Sequence, residues 1–312
     1  MLLVTTGEPS PLKQASKQQT KPKPDATTVG SLISQGRQQL LDGRVDASPR
    51  EAVLLLAAVV GLNEAALRSN LDAVLDANSA HLYRQYVARR ADGEPFSYIT
   101  GCREFFGRSF EVDPGVLIPR PETEHLVECI VAFDLPSKTA TPAILDLGTG
   151  SGCLAATLAK EIPNSTVTAA DNSLAALAVA HRNACRLGVR HRVRLVASDW
   201  AEALALAQFD VVVANPPYLS VREWQQCSID IRDHEPQLAL VADEAGLAAL
   251  SQISSSFVRL FPGCRVVLEI GSTQATAVSR LCSRYLEDVA IHHDLSGLER
   301  VVVGTRSRWD EG

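Results

Sequence analysis

The sequence predicts an α/β fold, a mostly parallel sheet preceded by a small helical domain, on three observations. From Ala143 onward short β-rich runs alternate with helical stretches, the pattern of parallel strands covered by crossover helices. The first of those runs opens into a glycine loop and then a helix, which puts a ligand site at the carboxyl edge of the sheet. Between Val29 and about Gly93 the apolar spacing is helical and strand-like alternation is absent.

Residues 1–28 come first, and their core, GEPSPLKQASKQQTKPKPDATT, has almost no apolar side chains. Such a segment cannot offset the entropy of ordering, so a disordered tail is expected. In the helical region, 29–100, the clearest start signal is SPRE: Ser48 can cap, Pro49 suits the first helical position, and Glu51 can close a capping box before VLLLAAVVG. Gly61 then stops that helix. Further helices are expected near Leu32 to Leu41, Asn63 to Arg68 and Ser79 to Arg90. Over 101–135, aromatic and β-branched residues flank Gly101, Gly107 and an Asp113-Pro114-Gly115 turn, as in a hairpin connector. The remainder, 136–312, carries strands at AILDL, TVTAA, RVRLVA, FDVVVA and CRVVLEI, and a closing hairpin formed by AIHHDL and ERVVVG.

Composition narrows the function. A chain of 312 residues, 46% hydrophobic and 21% charged, can bury a large core, and its net charge of −6 argues against a protein that lives on nucleic-acid backbone. Seven scattered cysteines, from Cys102 to Cys282, never form CxxC or paired ligand spacings, so reduced thiols in a cytoplasm are expected and no metal. No apolar run approaches the roughly 18 residues a membrane span needs, and MLLVTTGEPSP lacks the features of an export signal. His292 and His293 are neighbours on an expected strand; facing opposite sides, they are poor joint ligands and read as surface residues.

The chemistry gathers at the ends of successive strands. After Asp146-Leu147 comes Gly148-Thr149-Gly150-Ser151-Gly152, a GxGxG spacing that fits neither the dinucleotide GxGxxG nor a P-loop. The second strand ends in Asp171, 25 residues after Asp146, about where an acid meets a ribose diol, although it can equally cap the helix that follows. The third ends in Ser198-Asp199-Trp200: the acid can accept from an exocyclic amine, and the indole can stack on a purine or belong to the core. The fourth ends in Asn215-Pro216-Pro217-Tyr218. Two prolines stiffen this turn and bring no N–H to satisfy. The Asn215 carboxamide oxygen and the Pro216 carbonyl can then accept both hydrogens of a planar NH₂ group while Tyr218 packs over its face. Accepting those N–H bonds pushes charge onto a weakly nucleophilic nitrogen as it reacts, which favours the transition state. Arg120 and Glu122, in IPRPETE, either shape the entrance to this site or bridge the two domains.

Glycine loop, Asp171, Asp199 and the NPPY turn together resemble the class I methyltransferases that use S-adenosylmethionine. Further stretches, EPFSYITGCREFFGRSFEVDPGVLIPRPETEHLV, ILDLGTGSGCLAATLA, VANPPYLS and EPQLAL through LEIGSTQ to DLSGLERVVVG, are similar to the release factor glutamine methyltransferase family over residues 30 to 305. That resemblance implies a seven-stranded, Rossmann-like domain and a helical N-terminal domain that helps recognise a protein substrate. It implies methyl transfer to the side-chain amide of the glutamine in a Gly-Gly-Gln loop of peptide chain release factors. Gly148 through Gly152, Asp171, Asp199, Trp200 and Asn215 are then expected at the cofactor. Asn215, Pro216, Pro217 and Tyr218 are expected to clamp the glutamine amide. The expected enzyme is a cytoplasmic monomer with no membrane or stable nucleic-acid partner. The alternatives left open are a ribosomal-protein glutamine enzyme and a DNA adenine N6-methyltransferase. Asn172, Pro262-Gly263-Cys264 and the VADEAGLAAL segment depart from the family pattern.

Overall fold

The computed structural model describes residues 27–43, 49–133 and 141–307, which fall into two compact units. The expectation of disorder for residues 1–26 and the Ser48 half of the capping box lie outside the described residues.

The first unit runs to Thr100 and includes Ser228–His234. Its helices are Val29–Leu41, Pro49–Val60, Glu64–Arg68, Ala77–Ala91 and Phe96–Thr100, plus the short Ile229–His234. The first helix starts where a threonine can cap it: Thr28 Oγ1 accepts from Ser31 N–H and the Ser31 hydroxyl reaches back to the Thr28 N–H, a reciprocal box. Thr28 also bridges to Val74, so Thr27 and Thr28, read from sequence as tail, belong structurally to the helical unit. Leu62 N–H bonds Ala57 C=O across Gly61, which closes the second helix as expected. Glu51 pairs with Arg90 Nε at 2.7 Å, linking the second helix to the fourth. Leu32, Leu55, Leu56, Leu67 and Tyr83 fill the core between them.

The second unit is an α/β layer structure. A hairpin of β1 (Cys102–Phe105) and β2 (Arg108–Glu111) turns at Phe106-Gly107, both at positive φ as a two-residue hairpin turn requires. Phe105 and Phe110 meet edge to face at 6.0 Å beneath it. The segment read as connector also holds a helix, Glu124–Val131, whose Leu126, Val127 and Ile130 are buried in the unit's core. The hairpin and this helix therefore belong to the sheet unit rather than to a separate linker.

The sheet has seven strands: β3 (Ala143–Leu147), β4 (Thr166–Asp171), β5 (Val193–Ala197), β6 (Val211–Ala214), β7 (Arg265–Glu269), β8 (Leu286–His293) and β9 (Glu299–Arg306). Their order is β5-β4-β3-β6-β7-β9-β8, parallel through β7, with β9 antiparallel to both neighbours. Alternate residues of each strand feed two apolar layers: Ile144, Val213 and Val267 on one face, Leu145, Val212 and Val266 on the other. The chain winds from β3 to β5 on one side and resumes at β6 on the other, so β3 and β6 flank the switch point where such sheets bind ligands. In register, Leu147 lies opposite both Ala170 and Ala214, and Ala214 opposite Leu268. Residues 148, 171, 215 and 269 thus emerge at one edge. Among the described residues no helix is long and apolar enough to cross a membrane.

Candidate active site

A cavity of about 200 Å³ opens at this edge, and its wall includes Gly148, Gly150, Asp171, Asp199, Trp200, Asn215 and Pro217. Thr149, Ser151, Gly152, Pro216 and Tyr218, the other residues singled out from sequence, do not line it.

The glycine loop is built from below. Gly148 and Thr149 N–H both bond Ala170 C=O, and Gly150 N–H donates to Asp171 Oδ2 at 2.8 Å. Asp171 Oδ1 accepts Ser173 N–H at 2.9 Å. One carboxylate therefore holds the loop and the next helix start together, and a lone pair stays free on each oxygen. Both sequence readings of Asp171, ligand acid and local cap, are compatible with that geometry. Gly150 and Gly152 sit at φ +54° and +77°, and a Cβ at 152 would meet Ala180 Cβ at 2.9 Å. Thr149 and Ser151 turn inward: the Thr149 hydroxyl donates to Asp146 Oδ2 at 2.6 Å, and Asn183 Nδ2 donates to Ser151 C=O at 2.8 Å. They support the loop's shape. The Trp200 ring covers Gly148, where a Cβ would meet Cζ3 at 3.2 Å, and it also packs against the core.

Asp146 is fully buried, and burial, opposed by the Thr149 hydrogen bond and reinforced by Asp171, pushes its carboxyl up to about 7. The unfolded chain releases this proton near the ordinary value, so between about pH 4 and 7 the native state binds more protons and stability falls as pH rises. Asp146→Asn should remove about one proton from that dependence, roughly 1.4 kcal/mol per pH unit. Unfolding free energies measured in denaturant from pH 5 to 7.5 check this; parallel curves for the two proteins would contradict it.

The NPPY turn leads to groups that sequence reading missed. Asn215 Nδ2 donates to Thr123 Oγ1 at 2.9 Å, and the Thr123 hydroxyl donates to Glu269 Oε2 at 2.7 Å. The Tyr218 hydroxyl lies 3.4 Å from Glu269 Oε1. Burial, partly offset by Thr123 and Arg300, pushes Glu269 up to about 7, and burial with the Glu269 charge raises the Tyr218 phenol. The signal in the sequence was an acid ending the apolar run VVLEI, the same signal that marks Asp171. A Cβ at Gly246 would lie 2.1 Å from Tyr218 C=O, so the VADEAGLAAL segment packs directly behind the turn.

The cavity rim comes from two loops whose place at the site sequence reading missed. Gly115, Val116 and Leu117 follow the Asp113 turn, where Gly115 N–H bonds Asp113 Oδ1. Pro236, Leu238 and Ala239 form the other side. Arg120 joins them: its Nη2 meets the buried Glu235 Oε1 at 2.6 Å, while Glu235 Oε2 accepts Ile118 N–H. Arg120 and Ile118 thus hold Glu235, the residue before Pro236 on the rim, and the charge of Glu122 raises the Glu269 carboxyl. His292 and His293 are exposed, as expected. His292 with His125 and Cys129 offers ligand atoms within 4.8 Å of one another, a grouping that the sequence spacing does not suggest. His125 Nδ1 already meets Glu128 Oε2 at 2.9 Å. No disulfide joins the seven cysteines, four of which are buried.

The profile of the methyltransferase small domain matches residues 123–230, and that of the PrmC N-terminal domain matches 31–101. The hMettl16 catalytic domain has a similar fold, with a TM-score of 0.51 over 78% of this chain and 87% of its own at 16% identity. Fold and site together thus define a methyltransferase with a helical N-terminal unit. A release factor glutamine methyltransferase of Nitratidesulfovibrio vulgaris is 37% identical over 286 residues, 90% of this chain and 96% of that protein. One from Bordetella pertussis is 44% identical over 258 residues, 81% and 93% of the two chains. The chain belongs to the release factor glutamine methyltransferase family.

Proposed function

We propose that the chain methylates the side-chain amide nitrogen of the glutamine in the Gly-Gly-Gln loop of a peptide chain release factor, with S-adenosylmethionine as donor. The observation that carries this reading is the placement of Asn215 on the wall of the same cavity as the glycine loop, Asp171 and Trp200.

The residues suit a nucleoside with a charged tail. Asp171 has free lone pairs for a ribose diol, Asp199 is exposed on the wall for an exocyclic amine, and Trp200 supplies an aromatic face with Val116 and Leu117 nearby. Glycine at 148 and 150 leaves backbone close to the ligand. When bound, S-adenosylmethionine supplies an electrophilic methyl group. The chain's own work is positioning: Asn215 Oδ1 and the Pro216 carbonyl accept the acceptor's two N–H bonds, and Pro217 walls the site. Tyr218 holds the turn against Glu269. The proton that the amide nitrogen loses on methylation passes to these acceptors or to water.

The helical unit contributes to recognising the release factor, in keeping with its match to the PrmC N-terminal domain. The enzyme works as a monomer in the cytoplasm, where translation occurs; seven cysteines without a disulfide support a reducing compartment, and the net charge of −6 speaks against a stable nucleic-acid partner.

Methyl-labelled cofactor offered with a purified release factor, ribosomal proteins or DNA tests the acceptor class. Label is expected in the release factor and not in a factor whose Gly-Gly-Gln glutamine is replaced. Label only in ribosomal protein or DNA would contradict the assignment.

A further inference from the structure

We propose that Thr123 and Glu269 are positioning residues: the ionised Glu269 sets the direction of a hydrogen-bond chain that turns the Asn215 carboxamide oxygen toward the acceptor nitrogen. The inference rests on the reading of Asn215 as the amide clamp and deepens it.

An ionised carboxylate only accepts, so the Thr123 hydrogen goes to Glu269 Oε2. Thr123 Oγ1 is then left as an acceptor, and the only donor Asn215 can offer it is Nδ2. Because a carboxamide is planar with its oxygen opposite its nitrogen, this leaves Oδ1 for the cavity that Asn215 lines. The amide orientation thus follows from a carboxylate two bonds away rather than from shape, since the flipped carboxamide fills the same space.

Protonation of Glu269 at Oε2, the oxygen that Thr123 meets, inverts the chain. A neutral Glu269 can donate to Thr123 Oγ1, whose own hydrogen then turns to Asn215 and is satisfied only by Oδ1. The flipped Nδ2 would confront the acceptor's NH₂, donor against donor. The competent orientation therefore exists above the Glu269 pKa and is lost as pH falls through it. With the carboxyl raised to about 7 by burial, that transition falls near neutrality. The groups facing Glu269 are Thr123 and Glu122 ahead of the 124–131 helix, Tyr218 after β6, Arg300 on β9, and Cys153 at the start of the helix after the glycine loop. Arg300 holds the carboxyl down, Glu122 pushes it up, and Tyr218 donates to it. Burial first, with Asp146 and Glu269 adding to it, keeps the Cys153 thiol near 12, so it does not titrate in this window.

The test has a spectroscopic and a kinetic arm. In protein labelled with ¹⁵N-asparagine, the Asn215 side-chain amide, identified by its loss in Asn215→Asp, should shift with a midpoint near pH 7. In Glu269→Gln the shift should vanish, and the low-pH limb of kcat should flatten with it. Thr123→Val should lower kcat about 10–100-fold, the scale of a misplaced reacting group, with Kd for S-adenosylmethionine within about 3-fold, a change of under 1 kcal/mol. Thr123→Ser, which keeps the hydroxyl, should restore the rate. An Asn215 amide that does not titrate between pH 5.5 and 8.5 in the wild type, or a Glu269→Gln profile identical to the wild type, would overturn the proposal. The resonance needs no acceptor. A wild type that fails to methylate a release factor therefore counts against the proposed function, while a flat titration counts against the relay.

Discussion

Asn215→Ala should lower kcat by about 10²–10³-fold, the cost of removing one preorganised hydrogen-bonding group aimed at developing charge. Cofactor affinity should change by no more than about 3-fold, under 1 kcal/mol. The split follows from position. Asn215 is one of many residues on a cavity wall that Gly148, Asp171 and Trp200 also line, so its removal should take little from cofactor binding. On the proposed function, however, it offers the acceptor amide its Oδ1, the Nδ2 beside it being held by Thr123 Oγ1 at 2.9 Å. Single-turnover rates and calorimetric cofactor titration on the same protein separate the two quantities. Normal turnover with unchanged binding would remove Asn215 from the reaction.

Asp171→Ala should act in the opposite sense, weakening cofactor binding about 100-fold, near 2.7 kcal/mol. Asp171 makes two hydrogen bonds from a charged acceptor to backbone, at 2.8 Å to Gly150 and 2.9 Å to Ser173. Each such bond is worth roughly 1.5–3 kcal/mol, of which a share is felt at the ligand. Losing them frees the glycine loop from the helix start beside it and removes the lone pairs that a ribose diol would meet. At saturating cofactor kcat should recover to within about 10-fold, because the Asn215 end of the site is built on a different strand. Calorimetry and the dependence of initial rate on cofactor concentration measure this. A Kd within 3-fold of the wild type would assign Asp171 to capping alone.

The strands and the glycine loop are legible in the sequence because their signals are local. AILDL and FDVVVA are apolar runs bounded by polar turns, and Gly148 to Gly152 announces a sharp change of direction. The hairpin and the closing β8–β9 pair carry turn residues at the expected places. Long-range pairing is different. Thr123 and Glu269 are 146 residues apart, and Arg120 and Glu235 are 115 apart. Nothing within reach of either partner marks the other, so the relay behind Asn215 and the brace at the cavity rim appear only once the sheet has assembled. Thr149 and Ser151 illustrate a second limit. Small polar residues in a glycine loop read as ligand contacts, yet both are buried, Thr149 with its hydroxyl on Asp146 and Ser151 with its backbone carbonyl on Asn183. The helix at Glu124–Val131 shows a third: beside the aromatic hairpin before it, its short apolar spacing reads as part of a connector.

On the proposed function this site delivers a methyl group to one particular nitrogen. Peptide mass spectrometry of a release factor, incubated with the purified protein and S-adenosylmethionine, locates it directly. A mass increase of one methyl on the side-chain amide of the Gly-Gly-Gln glutamine, missing when Asn215→Ala replaces the wild type, is the expected result. A methyl on any other residue of the factor, or an equal yield from Asn215→Ala, would contradict the account.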